Sequence, residues 1–180
     1  MDKRVLVTYA SKYGGTAEIA EKIGQVLRQA GLPTDVLPTT RVGDLGAYKA
    51  VVLGSGVYIG RWRKEAVAFV KANEKALAGQ PVWLFSSGPT GEGDPLKLTS
   101  GWRLPGALQE VVDRIGPRDV AVFHGVLDAN KLNLIDKWMI KNVKAPMGDF
   151  RDWEAITAWA TGIADALREA GPAPGTQAES

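Results

Sequence analysis

Six consecutive residues near the N-terminus have the types and spacing to hold an anion. Ser11, Lys12, Tyr13, Gly14, Gly15 and Thr16 stand between an apolar run, Arg4–Tyr9, and a helical pattern. Ser11 and Thr16 offer hydroxyls. Gly14 and Gly15 let the backbone approach a ligand closely and take positive φ. A helix that starts here points its unpaired N–H groups into the loop, which suits a phosphate. The same residues also make an ordinary capped turn, with Thr16 as N-cap and Glu18 in the first turn. The two uses are compatible.

Two further loops share the same character. Ser55–Arg63, "SGVYIGRWR", follows a buried apolar run and carries Tyr58 and Trp62 beside glycines. A flat ring can stack on such an aromatic side chain. Tyr58 is the better candidate, and Trp62 reads as an anchor at the start of a helix. Ser87–Gly93, "SGPTGEG", has small residues whose backbone N–H groups can face a polar edge. Glu92 and Asp94 make its rim acidic.

Several chemistries are excluded by what the loops lack. No G-x-x-x-x-G-K-[ST] string occurs, so there is no P-loop. "ASKYGGT" has no dinucleotide fingerprint, and no acidic residue follows the second apolar run to take a ribose. A phospho-acceptor domain needs a carboxylate where this chain has Tyr9-Ala10. With no cysteine and only His124, thiolate chemistry and a histidine-rich metal site fall away. His124 ends a strand and is expected to be hydrogen-bonded there. A net charge of +2 gives no reason to expect nucleic acid as a partner.

The elements that must position these loops alternate. Strands are predicted at Arg4–Tyr9, Thr34–Leu37, Lys49–Gly54, Val82–Ser86 and Val120–His124. Helices are predicted at Thr16–Ala30, Arg63–Leu77, Leu104–Ile115, Leu132–Lys144 and Trp153–Arg168. This alternation specifies one α/β domain over residues 1–170 with a parallel sheet and helices on both faces. Trp83 and Trp159 are expected in its core, whereas Trp102 is expected either to cover a ligand or to fill a gap. Ligands in such sheets sit beyond the strand C-terminal ends, where these three loops lie. The 180 residues suit a single core. "GPAPGTQAES" at residues 171–180 reads as a disordered tail. No signal-peptide core or spanning segment is present in the sequence, so a soluble cytoplasmic protein is expected.

The phosphate-type loop resembles that of the flavodoxin family, [TS]-x-T-G-x-T, at Ser11, Gly14 and Thr16. It departs from it at Tyr13, where threonine is usual, and at Lys12. Further stretches resemble the branch that includes bacterial menaquinone-dependent protoporphyrinogen oxidases: "SKYGGTAEIAEKI", "AVVLGSGVYIGRWRKEAVAFVKAN" and "LIDKWMIK" followed by "DFRDWEAITAWA". The likeness breaks between Ser87 and Leu104, where that branch carries a basic insertion. The resemblance implies a flavodoxin-like sandwich of strand order 2-1-3-4-5 and a non-covalent FMN. Its phosphate end would rest on Ser11, Lys12, Tyr13, Gly14, Gly15 and Thr16. Its ring would lie between Ser55, Gly56, Val57, Tyr58, Ile59 and Gly60 on one side and Ser86, Ser87, Gly88, Pro89, Thr90 and Gly91 on the other. It implies an oxidoreductase that supplies no acid or base of its own and exchanges electrons with a small-molecule or protein partner, a quinone among the candidates. Glu92 and Asp94 would then disfavour an anionic reduced flavin. A non-enzymatic electron carrier and a fold that has lost FMN are the alternatives.

Lys131–Pro146, "KLNLIDKWMIKNVKAP", is basic and amphipathic. Lys137, Lys141 and Lys144 share a face, with Leu134, Ile135, Trp138 and Ile140 nearer the other. Such a helix can lie on an anionic membrane. The ordinary arrangement, apolar face on the domain and lysines in water, is the expected one.

Overall fold

Residues 2–171 are described by the computed structural model, so the tail at 171–180 lies, apart from Gly171, outside the described residues. The chain runs β1 (Arg4–Ala10), α1 (Gly15–Gln29), β2 (Thr34–Pro38), β3 (Tyr48–Tyr58), β4 (Arg61–Trp62), α2 (Lys64–Ala72), α3 (Glu74–Ala78), β5 (Val82–Ser87), α4 (Pro95–Leu98), α5 (Gln109–Ile115), β6 (Asp119–Phe123), β7 (Val126–Leu127), α6 (Leu134–Val143), β8 (Gly148–Asp149) and α7 (Trp153–Glu169).

The continuous apolar runs become central strands because successive side chains point to opposite faces and both faces are covered. Val5 and Val7 of β1, Ala50 and Val52 of β3, and Trp83 and Phe85 of β5 turn to one side. They pack there against Ile19, Ile23 and Leu27 of α1 and Ile156, Ala160 and Ile163 of α7. Leu6, Val51, Leu53 and Leu84 turn to the other, against Ala66, Phe69 and Val70 of α2, Leu77 of α3 and Val112 and Ile115 of α5. The sheet order is β2-β1-β3-β5-β6, with every neighbour on that path parallel. This is the predicted 2-1-3-4-5 order of the five main strands. The order reverses between β1 and β3, so the crevice lies at their C-terminal ends.

Several boundaries differ from the expectation. The third strand does not stop at Gly54. It continues to Tyr58, turns at Ile59 (φ 49) and Gly60 (φ 66), and returns as β4, pairing Val57 with Trp62. Ser55–Arg63 is therefore largely a hairpin and not an open loop. The helix predicted at Arg63–Leu77 breaks at Asn73, whose side-chain amide donates to Phe69 O at 2.9 Å. The helix predicted at Leu104–Ile115 shortens to α5, preceded by a 3-10 turn at Gly106–Leu108. Pro105 removes a backbone donor just before that turn.

Besides β4, three elements have no counterpart in the sequence reading. α4 is a single turn capped by Asp94, whose carboxylate accepts from Leu96 N at 2.9 Å. β7 and β8 pair antiparallel, so α6 is an excursion clipped at its base between β6 and α7.

Candidate functional site

The first loop forms a tight turn at the start of α1. Gly14 takes φ 90, a left-handed conformation that favours glycine, and its N–H donates to Ser11 Oγ at 3.1 Å. α1 begins at the next residue with no side-chain cap. Thr16 is thus not the N-cap. It is buried inside the first turn, and a Cβ on Gly56 would come within 3.0 Å of its Oγ1. The uncapped turn leaves the first N–H groups of α1 for a ligand.

The loop already holds one anion. Asp136, in the first turn of α6, is only 3% exposed. Its Oδ2 accepts from Lys12 Nζ at 2.5 Å and from the Tyr13 hydroxyl, and its Oδ1 accepts from the Tyr58 hydroxyl at 2.6 Å. Burial alone pushes this carboxyl up, but the bonds from Lys12, Tyr13 and Tyr58 outweigh it and hold the group down at about 2. The same contact with Asp136 raises Lys12. Burial, reinforced by the bond to Asp136, pushes the Tyr58 hydroxyl up to about 12. Tyr58 is therefore an anchored, protonated phenol on one wall of the crevice.

Sequence reasoning missed Asp136. A signal was present: it is the one acidic residue between Lys131 and Pro146 and stands three residues after Asn133, a capping residue type, and in the structure the Asn133 side chain accepts from its N–H at 2.8 Å. Nothing in the sequence says which loop it meets. Arg151 was missed as well. It is nearly buried, pairs with Asp149 at 2.7 Å and Glu18 at 3.0 Å, and donates to Gly15 O at 3.3 Å, tying the chain after β8 to the start of α1.

Three connected spaces meet at these residues. A groove of about 570 Å³ runs between Tyr58, Ile59 and Gly60 on one wall and Gly88, Pro89 and Thr90 on the other. Leu98, Thr99 and Trp102 line it further along, and Met139, Ile140 and Val143 of α6 close its side. A neck of about 90 Å³ joins it to Ser11, Tyr13, Thr16, Gly56, Ser87 and Gly125. A third space of about 520 Å³ lies on the far side of Gly15, against Val126, Asp128, Lys131 and Arg151.

The predicted residues are thus partly brought together. Ser11, Lys12, Tyr13, Gly15, Thr16, Gly56, Val57, Tyr58, Ser87 and Gly88 line the neck, and Ile59, Gly60, Pro89 and Thr90 line the groove. Ser55 and Ser86 do not face either space. Ser55 Oγ accepts from Arg63 N at 2.9 Å, and Ser86 Oγ accepts from Trp62 Nε1 at 2.8 Å while donating to Arg103 O at 2.7 Å. Trp62 is consequently a buried anchor in β4 and not a stacking surface. Trp102 both lines the groove and packs on the core. Trp83 is buried in the core, and Trp159 packs edge-on to Phe85 and Phe123. Gly91 (φ 120), Glu92 and Asp94 lie outside the groove walls; Gly91 and Glu92 border a separate shallow space with His124. His124 sits within hydrogen-bond reach of Pro89 O (3.2 Å) and Gly93 O (2.6 Å), so it clasps this loop.

The expectation for the basic helix is overturned for Leu134, Ile135 and Trp138, while the lysines are exposed as expected. Asp136 and Ile140 face inward, while Leu134, Ile135, Trp138 and Val143 are 84, 70, 67 and 61% exposed. The buried ion pair decides the rotation of α6, because an unpaired Asp136 could not be buried.

A family model described as a flavodoxin domain matches residues 6–153. The chain belongs to the flavodoxin-domain family. This flavodoxin-like chain is 24% identical to the protoporphyrinogen IX dehydrogenase [quinone] of Escherichia coli (strain K12), over 89% of its own length and 94% of the relative's. It is 29% identical to the NAD(P)H dehydrogenase (quinone) of Nitrobacter winogradskyi, over 50% of its length and 59% of the relative's. Among solved structures, a flavodoxin from the domain Archaea superimposes with a TM-score of 0.58 at 15% identity, covering 92% of this chain and 99% of that one. At that identity the likeness is one of fold.

The residues of the crevice fit an FMN. Gly56 and Gly88 let the walls approach each other closely: a Cβ on Gly88 would meet Val57 Cβ at 2.8 Å, and one on Gly56 would meet Thr16 Oγ1 at 3.0 Å. The groove between the two predicted ring walls falls within the roughly 300–1,000 Å³ of small-molecule sites.

Proposed function

We propose that this chain is an FMN-dependent oxidoreductase that passes electrons to or from a quinone. The observation that carries this reading is the groove of about 570 Å³ between Tyr58–Gly60 and Gly88–Thr90, joined to the uncapped start of α1. The two relatives, each named for a quinone, supply the candidate partner.

Ser11, Thr16 and the backbone N–H groups opening α1 would hold the phosphate, while Lys12 stays paired with Asp136. Tyr58, Ile59 and Gly60 hold one side of the ring, and Gly88, Pro89 and Thr90 the other. Leu98, Trp102 and the α6 residues Met139, Ile140 and Val143 exclude water. When bound, FMN supplies reversible electron and hydride chemistry. The groove walls offer no carboxylate or imidazole, and the Tyr58 proton is held on Asp136. These walls therefore position and shield without exchanging protons.

A second reading is favoured by Asp136 itself. Lys12 and Tyr13, which would face the phosphate, already carry a carboxylate. A chain that keeps this pair permanently is a flavodoxin fold without FMN, acting by protein contact. Visible absorbance of the purified protein, before and after FMN loading and desalting, separates the two. Retained flavin bands, with quinone turnover in the absence of any protein partner, support the enzyme. No retained flavin, in wild type or in Asp136→Asn with excess FMN, supports the second reading.

A further inference from the structure

α6 wears its apolar residues outward. Leu134, Ile135 and Trp138 are exposed on its solvent side, and exposed Val143 lines the groove. Lys131, Lys137, Lys141 and Lys144 are exposed around them. The segment 131–147 contains one acidic residue, Asp136, and it is turned inward onto Lys12, Tyr13 and Tyr58. The ion pair that orients the helix thus withdraws its single negative charge from the surface. What this segment exposes is an apolar centre with an aromatic residue, together with four lysines and no acidic side chain.

We infer that this face docks on an anionic phospholipid bilayer, with Leu134, Ile135 and Trp138 entering the headgroup boundary and the lysines meeting lipid phosphates. Charge complementarity selects lipid as the occupant. A second copy of the chain would bring four further lysines up to these four. No helix among the described residues is long and apolar enough to cross a membrane, so the contact lies on the surface. Exposed Ile59 and Val143 line the groove, which therefore opens beside the docking face. On the quinone-linked reading of the groove, a lipid-soluble substrate enters from that side.

The test is co-sedimentation of the full chain with vesicles of phosphatidylglycerol and phosphatidylcholine, and with phosphatidylcholine alone. It is run with and without added FMN, so docking is scored independently of cofactor binding. Binding to the anionic vesicles, weakened by salt, is expected. Replacing Lys137, Lys141 and Lys144 by Gln lowers partitioning by about 100-fold, from the usual attraction per lysine. The Leu134→Ser, Ile135→Ser, Trp138→Ser variant also loses binding, while its circular dichroism stays that of wild type because all three side chains point outward. Brominated lipid quenches Trp138 fluorescence in wild type, judged against Trp138→Phe. Absence of binding to anionic vesicles, equal binding by either triple variant, or a wild-type dimer that the serine variant disperses would each overturn the inference.

Discussion

The Tyr58 hydroxyl donates to Asp136 Oδ1 at 2.6 Å, joining the end of β3 to the first turn of α6 across 78 residues of sequence. This bond, with those from Lys12 and Tyr13, ties an excursion outside the sheet to the crevice at its edge. Hydrogen bonds to a charged group are among the stronger polar contributions, roughly 1.5–3 kcal/mol each.

Acid stability should report the buried carboxylate. Asp136 titrates at about 2 in the fold against an ordinary 3.8. Its stabilisation is present above the ordinary value and is lost as pH falls through the folded one. Asp136→Asn should cost roughly 2 kcal/mol at neutral pH. Urea unfolding of both proteins across the acid range should show their difference shrinking as pH drops from about 4 to about 2. Curves that stay parallel there would assign the stabilisation to another group.

Tyr58 should be the late-titrating phenol. Its folded value of about 12 reflects burial first and the Asp136 carboxylate second. Phenolate absorbance in alkali, compared between wild type and Tyr58→Phe, identifies its transition. In Asp136→Asn that transition should move down while remaining above the ordinary tyrosine value, since burial persists. An unmoved transition would separate Tyr58 from Asp136.

Gly54 should tolerate no side chain. It lies beside Phe85 in the β3–β5 register, and a Cβ there would stand 2.0 Å from the Phe85 ring. Gly54→Ala should destabilise by about 3 kcal/mol, the upper range for overpacking. Adding Phe85→Leu should recover part of the loss in thermal melts, and an additive double mutant would rule out this clash as the cause.

Ser86→Ala should loosen the crevice from beneath. Ser86 Oγ satisfies the buried Trp62 indole and holds Arg103 O, linking the β3–β4 hairpin to the segment before α5. Leaving that indole N–H unsatisfied costs about 1–3 kcal/mol. Denaturant midpoints measure the cost, and Ser86→Thr should retain more stability than Ser86→Ala if the hydroxyl is responsible.

Much of this molecule is legible along the chain. Val5–Val7, Ala50–Leu53 and Val82–Phe85 are apolar runs too short for buried helices and bounded by turn residues, so they specify parallel strands covered on both faces. Gly14 and Gly31 bracket an amphipathic pattern, so α1 and its glycine turn follow from local rules. The three loops converge because strand order and right-handed crossovers leave them no other end of the sheet. What local rules could not reach depends on partners distant in sequence. Residues 55–58 extend β3 because β5 pairs with Ser55 and Gly56 and β4 folds back on Val57 and Tyr58. The facing of α6 is the sharpest case. Helical periodicity turns Leu134, Ile135 and Trp138 inward, yet the contacts of Asp136 with Lys12, Tyr13 and Tyr58 turn them out. A pattern records which residues share a face. Only the tertiary structure decides which face is buried, because that choice rests on a carboxylate whose partners lie 78 to 124 residues away.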